Sequence, residues 1–487
     1  MSARPTALLD AWTRWEGAVE CAASGRCWSA EVLRREADRL SLELAEAGVE
    51  RGALVALLVS NTAAFPVALM AVLQHGAHPV LCSATMKSVE LSRDAARCGF
   101  RWALHAFAGP SELQRDAHHV RTIHSVAGAE LSLLDLDGGG PVPALGTAGV
   151  VLHPTSGTYG HASFCIRDQD VAVAEAENFL ERITPYRRAR VRMTTPLSHA
   201  YAYGFGWVAS LLTDSTLVLA SHFNAKSVLA AEDTTPSDIV ALVPPMARAF
   251  ASLGSIEGSP RFAPWVFYAG APCPDSVLEA FEDTFPSRLF AIYGSTETGA
   301  ISSNFSLDAG AGLGVGWPLA GVSVSVERPE AYESLGSGVG EICVRSTSMM
   351  QGYFGPSTRW TADGAFPTGD VGRLVGDDVV LLARMKEVVN LGGLKVDPAE
   401  VETVLMTHPA VADAAVYPGR AGERGEFVQA AVVLSNADCT VDALRRHCVS
   451  QLAEHKVPVA VHIVDSLPRT ASGKCLKIRC PGFPAPA

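Results

Sequence analysis

Apolar residues in the first half of the chain alternate between short continuous runs and longer segments with helical spacing. After Ser29, a residue type that favours helix N-caps, apolar positions recur at helical intervals across 33–44. The run 53–60 has the length of a strand, 61–75 is typical of a buried helix, and 77–82 predicts the next strand. This order predicts a parallel sheet covered by helices.

The same alternation continues in the middle of the chain. Strand-length runs at 216–220, 238–243 and 265–269 are separated by helical stretches such as 246–253 and 275–285. The spacing is typical of doubly wound α/β sheets. We therefore predict an α/β fold whose large N-terminal domain contains doubly wound sheets.

Distinctive turns follow three predicted strands. They are Val243-Pro244-Pro245, Ala269-Gly270-Ala271-Pro272 and Tyr293-Gly294-Ser295-Thr296-Glu297-Thr298-Gly299, the last after the apolar run 289–292. Ligands of α/β proteins bind outside the carboxyl ends of strands, so we expect the three turns to meet at one edge. The carboxylate and hydroxyls of the third turn suit Mg²⁺ with phosphate, although a strand-to-helix turn with a polar cap fits this heptapeptide equally well.

A second polar loop, 153–160, follows the short predicted strand 150–152 and is rich in glycine and hydroxyl groups. Glycine lets the backbone approach an anion, and hydroxyls with N–H groups can wrap a polyphosphate. The loop is not a Walker A loop, because no Gly-Lys-Ser/Thr follows. Considered alone, a turn of these residues without a ligand is the commoner case.

An aromatic segment, 200–207, follows Thr194-Thr195-Pro196-Leu197-Ser198-His199 and alternates small and aromatic residues. A slot for a flat or apolar ligand has this pattern, and so does a helix packed tightly on a sheet, which the residues alone favour. His199 is either a neutral core histidine bonded to backbone or a gate over a reacting carboxyl group.

The pattern changes from about residue 316. Short strands at 322–326, 340–345 and 379–382, separated by Gly and Pro turns, predict an antiparallel or barrel-like subdomain. Thr368-Gly369-Asp370 ends one such turn. Its carboxylate could hold the two hydroxyls of a ribose, and a surface turn is the simpler alternative.

The last hundred residues predict a separate small α/β domain. Helices at 398–406 and 441–453 alternate with strands at 412–417, 427–434 and 459–464. We place the domains at 1–383 and 384–487. The second is slightly basic while the first is acidic, which fits a mobile lid over an anionic ligand. A Gly-containing loop near its end presents Lys474, although lone lysines are usually solvated.

Composition narrows the function classes. The net charge of −12 without a basic stripe argues against a nucleic-acid partner. The eleven cysteines form no Cys-x-x-Cys pair and no metal-ligand spacing, so we expect reduced thiols in a cytoplasmic protein. The first twenty residues do not resemble a signal peptide, and the longest apolar run, 63–73, is too short to span a bilayer.

Taken in order, these stretches resemble the adenylate-forming superfamily, which includes acyl- and aryl-CoA synthetases, non-ribosomal peptide adenylation domains and beetle luciferase. The resemblance covers 29–479, and one short motif alone would be weak evidence. Seven collinear matches carry it: 155–160, Gly270-Ala271-Pro272, 293–299, Thr368-Gly369-Asp370, Arg384-x-Lys386-Glu387, Pro398-Ala399-Glu400-Val401-Glu402, and Pro468-Arg469-Thr470 with Gly473-Lys474.

The resemblance implies a two-step reaction. A carboxylic acid attacks the α-phosphate of ATP with Mg²⁺, which gives an acyl-adenylate and pyrophosphate. The small domain then rotates, and the thiol of coenzyme A, or of a carrier protein's phosphopantetheine, takes the acyl group.

The resemblance also implies roles for particular residues. The β- and γ-phosphates would be held by Thr155, Ser156, Gly157 and Thr158. Thr296 would bond the α-phosphate, and Glu297 would hold Mg²⁺. The rest of the nucleotide would contact Gly270, Ala271, Pro272, Tyr293 and Gly294, with Asp370 and Arg384 at the ribose. Lys474 would act in adenylation, Lys386 would be the hinge, and Gly392 and Gly393 would line the thiol tunnel. The acid pocket would include His199, Tyr203, Gly204, Pro245, Gly294 and Gly299.

Departures from the family pattern bear on activity and substrate. Ser163 stands where the phosphate loop usually has a lysine, and Tyr159 replaces the second threonine of that loop. Relatives that activate amino acids generally place an Asp in the segment matching 199–207, and none occurs here. An aryl acid, or a short to medium acyl acid, is therefore the expected substrate.

Three functions stay open at this point: an acid–CoA ligase, which we favour, a ligase that loads a carrier protein, and a non-catalytic nucleotide-binding relative. The sequence leaves the oligomeric state open.

Overall fold

The computed structural model describes the following parts of the chain: 6–106, 119–126, 129–136, 145, 149–155, 163–253, 262–306, 314–327, 332, 335–355, 358, 360–385, 389–391, 394–420, 426–435, 439–452, 454–469, 475 and 477–482.

The helices of the described residues are α1 (Ala7–Arg14), α2 (Ala30–Glu46), α3 (Ala64–His75), α4 (Ser88–Cys98), α5 (Gln169–Leu180), a π-helix (Ala202–Val208), α6 (Ala209–Leu212), α7 (Ala225–Thr234), α8 (Pro244–Ala251), α9 (Asp275–Thr284), α10 (Pro398–Met406) and α11 (Val441–Gln451). Short 3₁₀ turns lie at Thr184–Tyr186, Glu454–Lys456 and Lys477–Arg479.

The strands up to residue 219 are β1 (Ala18–Cys21), β2 (Cys27–Ser29), β3 (Leu54–Val59), β4 (His78–Leu81), β5 (Trp102–Ala106), β6 (His119–Val126), β7 (Ala129–Asp135), β8 (Val151–Thr155), β9 (Ser163–Arg167), β10 (Arg190–Met193) and β11 (Thr216–Leu219).

The later strands are β12 (Ile239–Leu242), β13 (Trp265–Ala269), β14 (Arg288–Ser295), β15 (Gly299–Ser303), β16 (Trp317–Pro318), β17 (Val322–Glu327), β18 (Gly340–Ser346), β19 (Gly352–Tyr353), β20 (Phe366–Val375), β21 (Asp378–Arg384), β22 (Val389–Leu391), β23 (Leu394–Val396), β24 (Val411–Arg420), β25 (Glu426–Leu434) and β26 (Ala460–Ile463).

Two large mixed sheets form the N-terminal part, as the alternating pattern predicted. One has the order β16-β15-β14-β13-β12-β10-β11-β1-β2, and its strands from β14 to β1 are parallel. The other has the order β19-β9-β8-β4-β3-β5-β7-β6 and is parallel from β8 to β5. Antiparallel strands flank both parallel centres. The predicted α/β class is confirmed.

The largest apolar core joins the two sheets through the helices between them. It includes the apolar face of α2, most of α3 and the whole π-helix region. The predicted helix after Ser29 is confirmed, because its side chain caps α2 and the apolar stripe from Leu33 to Leu44 is buried. Gly76 ends α3 with a φ of 85°, a conformation that glycine adopts without strain.

The predicted change of pattern after residue 316 is also confirmed. Strands β17, β18, β20 and β21 pair antiparallel in that order. Thr368, Gly369 and Asp370 lie inside β20, so the interpretation as a surface turn is wrong for them. Gly369 has a φ of 72° and introduces a local change of direction in the strand.

The C-terminal residues form the small α/β unit that the sequence predicted. α10 and α11 cover a sheet with the order β24-β25-β26, in which β25 and β26 are parallel. The domain limit at 383/384 stays a prediction, and it falls at the end of β21. Every helix in the described ranges is too short or too polar to cross a bilayer. All eleven cysteines are free thiols.

We expect Ser29→Ala to weaken the first turn of α2. Its hydroxyl accepts the Val32 N–H at 3.4 Å, and losing such a cap costs about 1 kcal/mol. Hydrogen–deuterium exchange of residues 30–34 should accelerate about fivefold. The matched control is Ser41→Ala in the middle of the same helix, which removes a hydroxyl but no cap. Equal exchange in both variants would show that the cap contributes nothing.

Candidate active site

Four parallel strands end side by side at one edge of the first large sheet. Leu242 pairs with Tyr268, and Ala269 pairs with Ile292, so the turns after β12, β13 and β14 are neighbours. The pairing of Met193 with Ala241 brings the end of β10 to the same edge. The expectation that the three turns meet at one edge is confirmed.

The segment 293–299 is a β-hairpin, which corrects the alternative of a strand-to-helix turn. β14 runs to Ser295, and β15 returns antiparallel from Gly299, whose φ is 73°. A Cβ added to Gly294 would lie 2.6 Å from the Gly299 carbonyl oxygen, so only glycine fits there. The Ser295 and Thr298 hydroxyls hydrogen-bond across the turn at 3.0 Å. Thr296 and Glu297 therefore sit, half-buried, at the tip of a braced turn.

The Glu297 carboxylate is fixed by a residue from another sheet. The Tyr353 hydroxyl donates to Glu297 Oε1 at 2.8 Å, and burial raises the pKa of Tyr353, so it stays a protonated donor. The Met350 N–H donates to the Glu297 carbonyl oxygen at 2.7 Å. Among the described residues, Glu297 Oε2 has no partner. A single carboxylate that shares its cation with phosphate oxygens is the usual protein contribution to Mg²⁺ binding, so this donor fits that ion.

A second carboxylate, Asp370, lies 5% exposed beside the same hairpin. Tyr293 Oη donates to its Oδ2 at 2.7 Å, and Arg384 Nε approaches its Oδ1 at 2.6 Å. Burial, followed by the Asp370 charge, raises the pKa of Tyr293 well above the ordinary value. The geometry thus joins Tyr293, Asp370 and Arg384, three residues far apart in sequence, in one polar group.

The turn after β13 has exposed backbone at this edge of the sheet. Gly270 is exposed with a φ of 91°, which favours glycine, and Ala271 and Pro272 follow it. Pro245 lies half-buried in the first turn of α8, after β12. A flat ring could lie on the Gly270 backbone, because no Cβ projects from it.

His199 immediately precedes the helical turn that leads into the π-helix and is exposed. Desolvation by the surrounding protein lowers its pKa below the ordinary value. Its imidazole is therefore neutral at pH 7. Seven consecutive π-helical residues are rare, and such stretches occur frequently at functional sites.

The π-helix buries Tyr203 and Gly204 in the protein interior. The Tyr203 ring meets His153 edge-on at 4.7 Å, and neither side chain is open to solvent. Tyr201, two residues earlier, is half-buried and stacks on Phe205 at 5.4 Å. The tight-helix interpretation of this segment is confirmed, and the predicted pocket residue Tyr203 lies behind the surface that Tyr201 presents.

Thr155 ends β8 where the candidate phosphate loop begins. Its hydroxyl donates to the Ser163 carbonyl oxygen at 3.2 Å, which closes the base of the loop between β8 and β9. The other predicted members of the site lie outside the described residues: Ser156, Gly157, Thr158, Lys386, Gly392, Gly393 and Lys474.

Sequence reasoning missed two groups around the hairpin. Tyr353 holds Glu297 from 56 residues away, and a buried Arg167–Glu175 pair lies behind the hairpin. The Gly-Tyr pair at 352–353 carries no local signal for this contact. An Arg in a strand and a Glu in the following helix are common on protein surfaces, so the sequence gives no sign that Arg167 and Glu175 are buried. Only the tertiary structure shows that they pair beside the hairpin.

Two family models match the chain. The AMP-binding enzyme model matches residues 9–354, more than half of the chain, and the AMP-binding enzyme C-terminal domain matches 400–474. The chain is 29% identical to 4-coumarate–CoA ligase-like 9 of Oryza sativa subsp. japonica, over 94% of this chain and 88% of that protein. A probable CoA ligase of Humulus lupulus is 26% identical over 94% of this chain and 88% of its own length.

Solved structures share the fold. Amide bond synthetase McbA from Marinactinospora thermotolerans superposes with a TM-score of 0.77 at 25% identity, covering 97% of this chain and 98% of that one. The o-succinylbenzoate CoA synthetase of Bacillus subtilis gives a TM-score of 0.80 at 23% identity, with 98% of each chain covered. With the geometry of the sheet edge and the order of the motifs, these matches establish that the chain belongs to the AMP-binding enzyme family, within the adenylate-forming superfamily.

Proposed function

We propose that this protein is an ATP-dependent acid–CoA ligase that adenylates a carboxylic acid and transfers the acyl group to the thiol of coenzyme A. The observation that carries the proposal is that the hairpin at the strand-end edge of an AMP-binding enzyme bears Glu297 at its tip and holds Asp370 through Tyr293. The names of the curated relatives, which include 4-coumarate–CoA ligases, support the acid–CoA reaction.

The proposed nucleotide site gives these groups the roles that the family resemblance implies. Asp370, with Arg384 beside it, accepts hydrogen bonds from the ribose hydroxyls. Adenine lies against the backbone at Gly270, Ala271 and Pro272, next to Tyr293 and Gly294. Thr155, with Ser156, Gly157 and Thr158, binds the outer phosphates, and Thr296 bonds the α-phosphate.

Adenylation brings one anion to another, so it depends on positive charge that is in place beforehand. Glu297 would hold Mg²⁺, which would supply part of that charge by neutralising phosphate oxygens. Lys474 supplies the rest next to the attacking carboxylate. His199 is neutral at pH 7 and orients the acid by hydrogen bonding without adding charge.

The proposed acid is an aryl acid, with short or medium acyl acids as the second class. Tyr201 is half-buried, and its ring is backed by Phe205 at 5.4 Å and, deeper in the core, by Phe267 at 5.1 Å from Phe205. The accessible part of Tyr201 suits a flat apolar ring. No Asp lies in 199–207 to pair with an ammonium group, which argues against amino acids. The proposal also assigns Tyr203, Gly204, Pro245 and Gly299 to the acid pocket.

Coenzyme A is the proposed acceptor. After adenylation the small domain turns about Lys386, and the thiol reaches the acyl group along Gly392 and Gly393. A carrier protein's phosphopantetheine presents the same reactive arm and is the alternative acceptor. An amine is a further alternative acceptor, because the structurally similar McbA is an amide bond synthetase.

We expect pyrophosphate release from Mg-ATP to require one class of acid and to be accelerated by coenzyme A. The measurement is a pyrophosphate assay over aryl, short-chain and medium-chain acids, each with and without coenzyme A, with mass detection of the acyl-CoA. Release that ignores coenzyme A would redirect the assignment to carrier proteins or amines. Nucleotide binding without release for any acid would favour the non-catalytic alternative, with Ser163 in place of the phosphate-loop lysine as its cause.

Lys474→Ala should slow acid-dependent pyrophosphate release on the order of 10²–10³-fold, the usual effect of removing one preorganised donor. Thiol transfer from a preformed acyl-adenylate should survive, because the α-phosphate has already reacted. Lys456→Ala is the matched control, since Lys456 lies in the same domain and pairs with Glu400 at 2.7 Å. An equal fall in both half-reactions of Lys474→Ala would refute its assignment to adenylation.

Glu297→Gln should raise the Mg²⁺ concentration for half-maximal pyrophosphate release roughly 10–100-fold, because a neutral amide binds a hard cation weakly. Binding of Mn²⁺ with ATP, followed by electron paramagnetic resonance, should weaken in parallel. Glu279→Gln is the control, since Glu279 is exposed on α9. An unchanged Mg²⁺ requirement in Glu297→Gln would refute the assignment of the metal site to this carboxylate.

A further inference from the structure

A buried ion pair, Arg167–Glu175, lies directly behind the hairpin that carries Thr296 and Glu297. Arg167 ends β9, the strand that leaves the phosphate loop, and Glu175 lies in α5. Arg167 Nη2 and Glu175 Oε2 are 2.7 Å apart, with side-chain exposures of 0% and 6%. At this burial solvent screens the pair weakly.

The ion pair is hydrogen-bonded to β15, the returning strand of the hairpin. Glu175 Oε1 accepts the Ala300 N–H at 3.0 Å. Arg167 Nη2 also donates to the Ser348 carbonyl oxygen at 3.2 Å, and the Ser348 hydroxyl donates to the Thr298 carbonyl oxygen at 2.9 Å. Two short chains of hydrogen bonds therefore run from one ion pair to the residues immediately after Glu297.

Glycines permit this close approach. A Cβ on Gly299 would lie 3.1 Å from Glu175 Cδ and 3.2 Å from Arg167 Nη2. On the other side, a Cβ on Gly204 of the π-helix would lie 2.8 Å from the Glu175 carboxylate. Glu175 is thus wedged between the hairpin of the nucleotide site and the π-helix of the acid site.

β9 also reaches Glu297 by a second route. Cys165, two residues before Arg167, pairs with Tyr353 across the β9–β19 ladder, and Tyr353 donates to Glu297. The strand that emerges from the phosphate loop is therefore connected to both the carboxylate and the backbone of the turn.

Stability does not account for the pair. Two further Arg167 nitrogens, Nε and Nη1, are buried and have no hydrogen-bond partner among the residues that the structure describes. Desolvating two charges already offsets most of their attraction, and unpaired donors add to the cost. Apolar residues of similar volume at such positions are often neutral or stabilising, so the pair's contribution lies in the geometry that it imposes.

We propose that Arg167 and Glu175 are positioning residues for adenylation, which hold the Thr296–Glu297 turn in register with the phosphate-loop strand β9 and with the π-helix of the acid site. This inference rests on the proposed function. Neither side chain touches the substrates, and both act through Ala300 and Ser348.

The test replaces the pair by apolar residues, Arg167→Met together with Glu175→Leu. We expect a melting temperature close to that of the wild type, because the desolvation cost of the pair disappears while the buried Ala300 N–H loses its acceptor. The kcat of acid-dependent pyrophosphate exchange should fall about 100-fold, the effect of a misplacement of about 1 Å. The Kd of a non-hydrolysable ATP analogue with Mg²⁺, measured by calorimetry without acid, should rise about tenfold, the lower end of the effect of disturbing a metal ligand's supports.

The chain contains a matched control pair. Arg192 Nε and Glu232 Oε1 are 2.6 Å apart with exposures of 2% and 0%, and within the described part of the chain Arg192 Nη1 also has no partner. Glu232 binds Ser237, which precedes β12 at the end of the sheet opposite the site. Arg192→Met together with Glu232→Leu should likewise keep the melting temperature close to that of the wild type and leave kcat and the Kd unchanged. Equal kinetic losses in both double variants would overturn the proposal.

The variant Glu175→Gln distinguishes the hydrogen bond to Ala300 from the negative charge of Glu175, because it keeps the first and removes the second. The amide oxygen can still accept the Ala300 N–H, so kcat should stay within a few-fold of the wild type. The melting temperature should fall, because the Arg167 charge is left buried and unpaired. A loss of kcat as large as that of the apolar double variant would overturn the proposed action through Ala300. If the apolar double variant does not fold, the kcat of Glu175→Gln still tests the proposal.

Failure of the proposed function would be visible separately. If the wild type exchanges no pyrophosphate with any acid, the acid–CoA assignment fails. The Kd of the ATP analogue then still tests the positioning role, because that measurement requires no acid. An unchanged Kd in the folded apolar double variant, with the Kd of the wild type measurable, would refute that role.

Discussion

The close approach of two backbone strands at Gly294 and Gly299 is the constraint on which the site depends. A Cβ at Gly294 would lie 2.6 Å from a carbonyl oxygen of the returning strand, so the hairpin closes only where side chains are absent. Its closure directs Glu297 from the tip towards Tyr353 and leaves Tyr293 facing Asp370. One backbone feature therefore positions both Glu297 and the tyrosine that holds Asp370.

Both carboxylates are held by tyrosine hydroxyls. Burial raises the pKa of Tyr293 and of Tyr353, so each remains a neutral donor to its acid. A neutral donor orients a carboxylate without cancelling its charge, which leaves Glu297 negative for a cation. Asp370 differs because Arg384 adds a positive charge beside it, which suits hydrogen bonding to neutral hydroxyls.

The same hairpin connects the two large sheets. Its strands belong to the first sheet, while Tyr353 comes from the second and Arg167 ends β9, the strand that follows the proposed phosphate loop. A rigid connection of this kind suits a reaction between an acid and a nucleotide bound by different elements, because rates depend steeply on the mutual orientation of the reactants.

The sequence by itself determined the α/β class, the order of strands and helices, and the meeting of three turns at one edge, because these follow from local hydrophobic periodicity and from the direction of parallel strands. It left open whether a helix or a strand follows the turn at 293–299, since a polar Gly-bounded loop precedes either. Only the tertiary structure decided that Tyr353 supports Glu297, that Glu175 binds Ala300 from 125 residues away, and that Tyr203 is interior. Such contacts depend on the register between distant strands, and local patterns of residues carry no information about that register.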